Sequence, residues 1–227
     1  MDKQSPSGER PGASSSVNRQ HKVVLQNSRG EKLVGIFHDT GSKELVVICH
    51  GFRSSKECII VVNIAAALER EGISVFRFDF SGHGESEGSF RLGNYLREAD
   101  DLRDVVEHFS KDQRSIAALV GHSKGGNVVL FHASKYNNVA TVVNISGCFD
   151  LEARIDPWYG TGHLQQIRQN GFTEIKNKKG KILYQVTREN LKARGVATQT
   201  AALSIDTNCR VLIVHGSKMK WYLYQML

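Results

Sequence analysis

Proline is scarce in this chain, with three in 227 residues, and no run of 18 apolar residues occurs. This excludes collagen-like, proline-rich and helical membrane-spanning readings. Cysteine is sparse as well. The four, Cys49, Cys58, Cys148 and Cys209, lie far apart without a C-x-x-C pair, so neither a disulfide framework nor a zinc site is indicated. Three of them sit in or beside apolar runs, as buried reduced thiols do. The opening Met1-Asp2-Lys3-Gln4-Ser5-Pro6 lacks the apolar block of a secretory leader, and residues 1–20 read as a disordered tail rich in Ser, Gly and Pro. The expectation is a soluble, cytoplasmic protein with no metal and no cofactor.

What is present fits an ordinary globular domain: 40% hydrophobic, 23% charged, and long enough to bury about 70–75% of its unfolded surface. The net charge of +7 raises the question of a nucleic-acid partner. Residues 1–150 are balanced, with 18 basic and 18 acidic side chains, whereas residues 151–200 carry nine and four. The densest cluster, Lys176-Asn177-Lys178-Lys179-Gly180-Lys181, lies between two β-prone stretches. It reads as a solvated hairpin turn in preference to a phosphate-binding patch, and no nucleic-acid module is visible.

His21–Leu25 and Lys32–His38 form a hairpin pattern around Asn27-Ser28-Arg29-Gly30. Five later apolar runs have strand length and β-branched enrichment without alternation: Leu45–Cys49, Ile73–Phe78, Ile116–Val120, Val139–Ile145 and Val211–Val214. Helical patterns separate them. Ile59–Arg70 ends at a glycine stop, Tyr95–Phe109 puts Tyr95, Ala99, Leu102, Val106 and Phe109 on one face, and a third helix runs from about Lys124 to Ser134. Strands alternating with helices predict an α/β fold: a mostly parallel sheet with helices on both faces and ligands at the carboxyl ends of its strands.

Three segments follow such strand ends. Gly121-His122-Ser123-Lys124-Gly125 fits G-x-S-x-G between a strand and a helix, the context in which a serine occupies a strained turn as a nucleophile. The alternative is a plain serine N-cap. Gly51, between His50 and Phe52, permits a turn that aims the Phe52 N–H across the strand ends. Paired with the Lys124 N–H, it would hold the oxyanion of a tetrahedral intermediate. His50 reads as a loop-holding histidine rather than a base, and His122 as a packing residue. The loop from Asp79 to Ser86, with Gly82 and Gly84, is given structural work, Asp79 and His83 included.

The phrases Val46-Val47-Ile48-Cys49-His50-Gly51-Phe52, Asp79-Phe80-Ser81-Gly82-His83-Gly84-Glu85-Ser86, Gly121-His122-Ser123-Lys124-Gly125-Gly126 and Val211-Leu212-Ile213-Val214-His215-Gly216-Ser217 resemble the α/β-hydrolase fold. Within it the likeness is to the serine-aminopeptidase and monoacylglycerol-lipase-like branch, with cinnamoyl (feruloyl) esterases looking most similar. The resemblance implies a serine, an acid and a histidine in that chain order, and organises the sequence as a core over 21–149, a cap or lid insertion over 150–208 and a core strand over 209–218. The acid's place after the His-Gly phrase is Met219, and residues 219–227 are unlike the family's continuation. Past the helix that begins at Lys124, which carries His132, only His163 and His215 follow Ser123. The resemblance therefore implies that the acid, the histidine, a last strand and a helix are missing, and that the strand at 211–214 is an uncovered edge.

Two functions are carried forward. The first is a serine hydrolase acting on a small carboxylic ester through Ser123, Phe52 and Lys124, supported by His50, Gly51, Gly121, His122 and Gly125, and inactive in this short form if the partners are absent. The second is a non-catalytic scaffold of the same fold that binds an acyl or aromatic ligand or a protein partner. Trp158, Tyr159, Phe172 and Tyr184 of the insertion either line that pocket or form a small core of their own.

Overall fold

The structure is a computed structural model that describes residues 20–148, 155–191 and 204–216. Residues 1–19 of the expected tail, residues 150–154 and 192–203 of the insertion, and Met219 with the tail after it lie outside the described residues. The first two strands, β1 (Gln20–Gln26) and β2 (Lys32–His38), pair antiparallel. Asn27 makes their turn. Its side-chain oxygen accepts the N–H groups of Arg29 and Glu31 at 3.0 and 2.9 Å, and Gly30 takes φ +81°.

Strands β3 (Glu44–Cys49), β4 (Ser74–Phe78), β5 (Ser115–His122) and β6 (Thr141–Ile145) alternate with helices α1 (Ile59–Arg70), α2 (Tyr95–Lys111) and α3 (Lys124–Tyr136). Beyond them come α4 (Ile155–Tyr159), α5 (His163–Asn170), the hairpin β7 (Phe172–Lys176) and β8 (Ile182–Thr187), and β9 (Arg210–Val214). The main sheet has the order β1-β2-β4-β3-β5-β6-β9. It is parallel from β4 through β9 and antiparallel at β1 and β2, as the sequence led one to expect.

Period-two geometry explains the two-sided burial of the central strands. Leu45, Val47, Cys49, Phe76 and Phe78 face one layer, where Ala99, Leu102, Val106 and Phe109 of α2 and Val128, Val129 and Ala133 of α3 cover them. Val46, Ile48, Val75 and Val120 face the other, under Val61 and Ala65 of α1. Each fully buried large side chain contributes roughly 1.5–3 kcal/mol.

Helix α1 stops where the glycine signal placed it. Gly72 takes φ +76° and donates to the Glu69 carbonyl at 3.1 Å, while Ile73 donates to that of Leu68 at 3.0 Å. These two bonds make a Schellman closure, which returns the chain to β4.

The lysine-rich segment is the turn of the β7–β8 hairpin, and it repeats the β1–β2 turn. Asn177 accepts the Lys179 and Lys181 N–H groups at 3.0 Å each, and Gly180 has φ +76°. The thiols need one correction. All four are free, but only Cys49 is fully buried. Cys58 and Cys209 sit at element ends and Cys148 in the loop after β6, where the layers no longer close over them. Strand β9 is the edge of the sheet among the described residues, with Val211, Leu212, Ile213 and Val214 exposed. No described helix is long and apolar enough to cross a membrane.

Candidate active site

Ser123 joins β5 to α3 at φ +54°, ψ −117°, a region that L-residues avoid. Three contacts hold it there. Its N–H donates to the Ile145 carbonyl of β6 at 2.8 Å, and its carbonyl accepts the Gly126 N–H at 3.0 Å. The third is steric. A β-carbon on Gly121 would stand 2.1 Å from the Gly125 oxygen, and one on Gly125 would stand 2.5 Å from the Cys49 oxygen. Only glycine at both places lets strand, turn and helix close this tightly, which is the physical content of the G-x-S-x-G spacing.

The turn after β3 lies against this bend. A β-carbon on Gly51 would meet the Ser123 Cβ at 3.4 Å and His122 Nδ1 at 3.5 Å. Residues 52 and 124 both line one pocket with Ser123, together with Tyr95, Asn127, Cys148, Trp158 and Tyr159. Its free volume is about 30 Å³, room for one or two waters. Trp158 and Tyr159 come from α4, so the insertion forms part of the pocket wall.

His50 is fully buried. Its Nε2 accepts the Phe80 N–H at 3.2 Å, which puts the ring proton on Nδ1, 2.8 Å from the Gly51 carbonyl. Both nitrogens are thus committed to the loops. Burial, followed by the charge of Lys124, holds its pKa well below the ordinary histidine value. His122 is half-buried beside Gly51, and burial lowers its pKa too.

Asp79 is fully buried and its carboxylate is spoken for. Oδ1 accepts the Lys56 N–H at 2.7 Å, and Oδ2 accepts Lys56 Nζ at 2.7 Å and the Glu85 N–H at 3.0 Å. His83 places Nδ1 3.1 Å from the Ser81 carbonyl, and its pKa is pushed down to about 4 by burial and then by Lys124. Neither group faces the serine pocket.

Of the histidines after Ser123, His132 is buried on α3 with Nε2 against Asn138 Oδ1 at 2.9 Å. Of the other two, His163 bonds Thr173 Oγ1 through Nδ1 at 2.8 Å in a separate groove, and His215 is an exposed residue just past β9. Among the described residues neither lines the serine pocket, and no hydrogen bond engages the Ser123 hydroxyl. Among the described residues, no group of three His, Cys, Asp or Glu side chains converges to hold a metal ion.

Sequence reasoning missed the charge beneath the turn. The Lys124 side chain points into the protein, where Nζ lies 2.5 Å from Glu98 Oε1 of α2 and 5.4 Å from the centre of the Phe80 ring. Glu98 stands on the buried side of its helix, and that position was the one available clue.

A family model for serine aminopeptidase S33 matches residues 40–220. A protein phosphatase methylesterase 1 from Candida albicans is 30% identical over 114 residues, which is 49% of this chain and 31% of its own length. The chain spans less than half the length of the curated relatives it matches. Among solved structures, a protein of Agrobacterium vitis S4 described as a hydrolase superposes with a TM-score of 0.64 at 26% identity, covering 86% of this chain and 77% of its own. Est1E from Butyrivibrio proteoclasticus, solved with ferulic acid bound, gives 0.61 at 17% identity, covering 86% and 89%; at that identity the likeness concerns the fold.

Proposed function

Since the chain belongs to the serine aminopeptidase S33 family, and so to the α/β-hydrolase fold, we propose that it is an ester hydrolase whose nucleophile is Ser123. The observation that carries this reading is the backbone of Ser123, a non-glycine residue held at φ +54° at the end of a central parallel strand. A serine hydroxyl at such a bend attacks the ester carbonyl, and the N–H groups of Phe52 and Lys124 receive the oxyanion that forms. Each such donor is worth about 2.7–4 kcal/mol of transition-state stabilisation. The alcohol leaves when the tetrahedral adduct collapses to the acyl-enzyme, and water completes the cycle. Elements α4 to β8 act as the cap expected from the sequence, with Trp158 and Tyr159 closing the pocket over the serine.

The proton on Ser123 needs an acceptor, and the described pocket lining supplies no histidine or carboxylate. That observation favours a second reading, a scaffold of the same fold that binds an acyl or aromatic ligand without turnover. An oxyanion site and binding alone retain about 10³–10⁴-fold over water.

Labelling of the full chain with a fluorophosphonate probe, with p-nitrophenyl acetate turnover and Ser123→Ala as control, separates the two. Labelling and slow turnover that both vanish in Ser123→Ala are expected for the hydrolase. Their absence in protein that elutes as a folded species from gel filtration supports the scaffold.

A further inference from the structure

A second concavity opens beside the serine pocket, lined by Arg53, Ser54, His83, Phe90, Leu183 and Tyr184 among others, with a free volume of about 340 Å³. The two spaces share a wall. Phe52 lines the serine pocket, and its ring centre lies 5.8 Å from that of Phe90 and 6.0 Å from that of Tyr184. Tyr184 in turn donates its hydroxyl to that of Tyr159 at 3.3 Å, and Tyr159 is again a pocket residue. An unbroken series of rings therefore leads from Ser123 to the groove.

The groove has one charged group. Arg53 holds its guanidinium over the Tyr184 ring, 5.6 Å from the centroid. Among the described residues, no carboxylate and no hydrogen-bond acceptor engages it. The neighbouring cations are already neutralised, Lys56 by Asp79 and Glu85, Lys124 by Glu98. Arg53 also takes φ +47°, a conformation that disfavours a side chain, and strain of this kind gathers where ligands are held. His83 at the floor is neutral at pH 7, so it brings no second charge to the groove.

We propose that this groove binds an aryl carboxylate. The ring lies against Phe90, Leu183 and Tyr184, and the carboxylate pairs with the Arg53 guanidinium, which forms a two-point contact with a planar anion. The aromatic wall beside the guanidinium offers an aryl carboxylate a stacking surface that a bare phosphate would leave unused. As the seat for the part of an ester remote from its reacting carbonyl, the groove rests on the reading of Ser123 as nucleophile. As a binding site it does not.

The test is titration of 2-naphthoate and of uncharged 2-naphthamide into the full-length Ser123→Ala protein, followed by amide chemical shifts. The expected result is saturable movement of the Arg53, Ser54 and Tyr184 signals, with naphthoate bound at least five-fold more tightly than naphthamide. Arg53→Gln should bring naphthoate down to the naphthamide level, and Arg53→Lys should fall between, with signals away from the groove unchanged. Equal affinity of the two probes, shifts confined to other surfaces, or naphthoate binding unaltered by Arg53→Gln would overturn the proposal. Fluorophosphonate labelling of the unsubstituted chain keeps the two ideas apart. Labelling without naphthoate binding removes the groove alone, and naphthoate binding without labelling removes the nucleophile alone.

Discussion

Lys124 Nζ and Glu98 Oε1 lie 2.5 Å apart, with their side chains 7% and 2% exposed, directly behind the turn that carries Ser123. An ion pair buried this deeply gains little over a matched apolar pair, but leaving one member alone is costly. Glu98→Ala should therefore lower unfolding stability by about 3–5 kcal/mol. The double variant Glu98→Leu with Lys124→Met should recover most of that loss. Urea denaturation of the three proteins measures it, and a double variant no more stable than Glu98→Ala would show that the two charges do not stabilise each other.

Backbone strain at Ser123 sets a contrast between two substitutions that both remove the hydroxyl. Alanine keeps the unfavourable φ and ψ, whereas glycine adopts them freely, so Ser123→Gly should be more stable than Ser123→Ala by about 1 kcal/mol. Both should fail to label with the fluorophosphonate probe. Thermal unfolding decides the order, and an alanine variant as stable as the glycine one would show that the turn is unstrained.

Stability should fall between pH 6.5 and pH 4 through His132. Its ring is fully buried and Nε2 meets Asn138 Oδ1 at 2.9 Å. Burial lowers its pKa from 6.5 to about 4. Over that window the unfolded chain binds the proton and the folded chain does not, so acid favours unfolding. The contribution is complete above the unfolded value and is lost as pH falls through the folded one, about 3 kcal/mol in all. Urea midpoints at pH 7, 5.5 and 4.5 should decline less steeply in His132→Gln, and parallel slopes would reassign the effect to other groups.

Strand β9 exposes four consecutive apolar side chains, with Ile213 the most open at 65%. Edges of this composition pair with other chains unless a charge interrupts them. Light scattering from concentrated protein should rise with time, and Ile213→Lys should suppress the rise while leaving the circular dichroism spectrum unchanged. Equal scattering from both proteins would place the sticky surface elsewhere.

Much of the scaffold was readable before any coordinates. Runs of β-branched residues marked the strands, and the Glu71-Gly72 pair marked a helix end, because those signals are local. Strand order was not readable: β3 lies between β4 and β5 only because of how the crossovers pack, which no short segment encodes. The helices α4 and α5 were invisible for a different reason. Pro157 interrupts the first, and the second buries Ile167 alone, so neither shows an apolar stripe. At the site, the glycine pattern around Ser123 was legible because each glycine answers a backbone collision. The Lys124–Glu98 pair and the position of Arg53 were not, since a lysine in a first helical turn and an arginine in a loop look like surface residues.

The Gly121–Gly125 collision geometry has a practical consequence for protein engineering. The bend at 123 is set by main-chain packing, Gly125 against the Cys49 and His50 carbonyls and Gly121 against Gly125, not by the side chains around it. A library that varies Phe52 together with Trp158 and Tyr159 would reshape the pocket while the bend at Ser123 stays where it is. The glycines belong on the list of positions such a library leaves untouched.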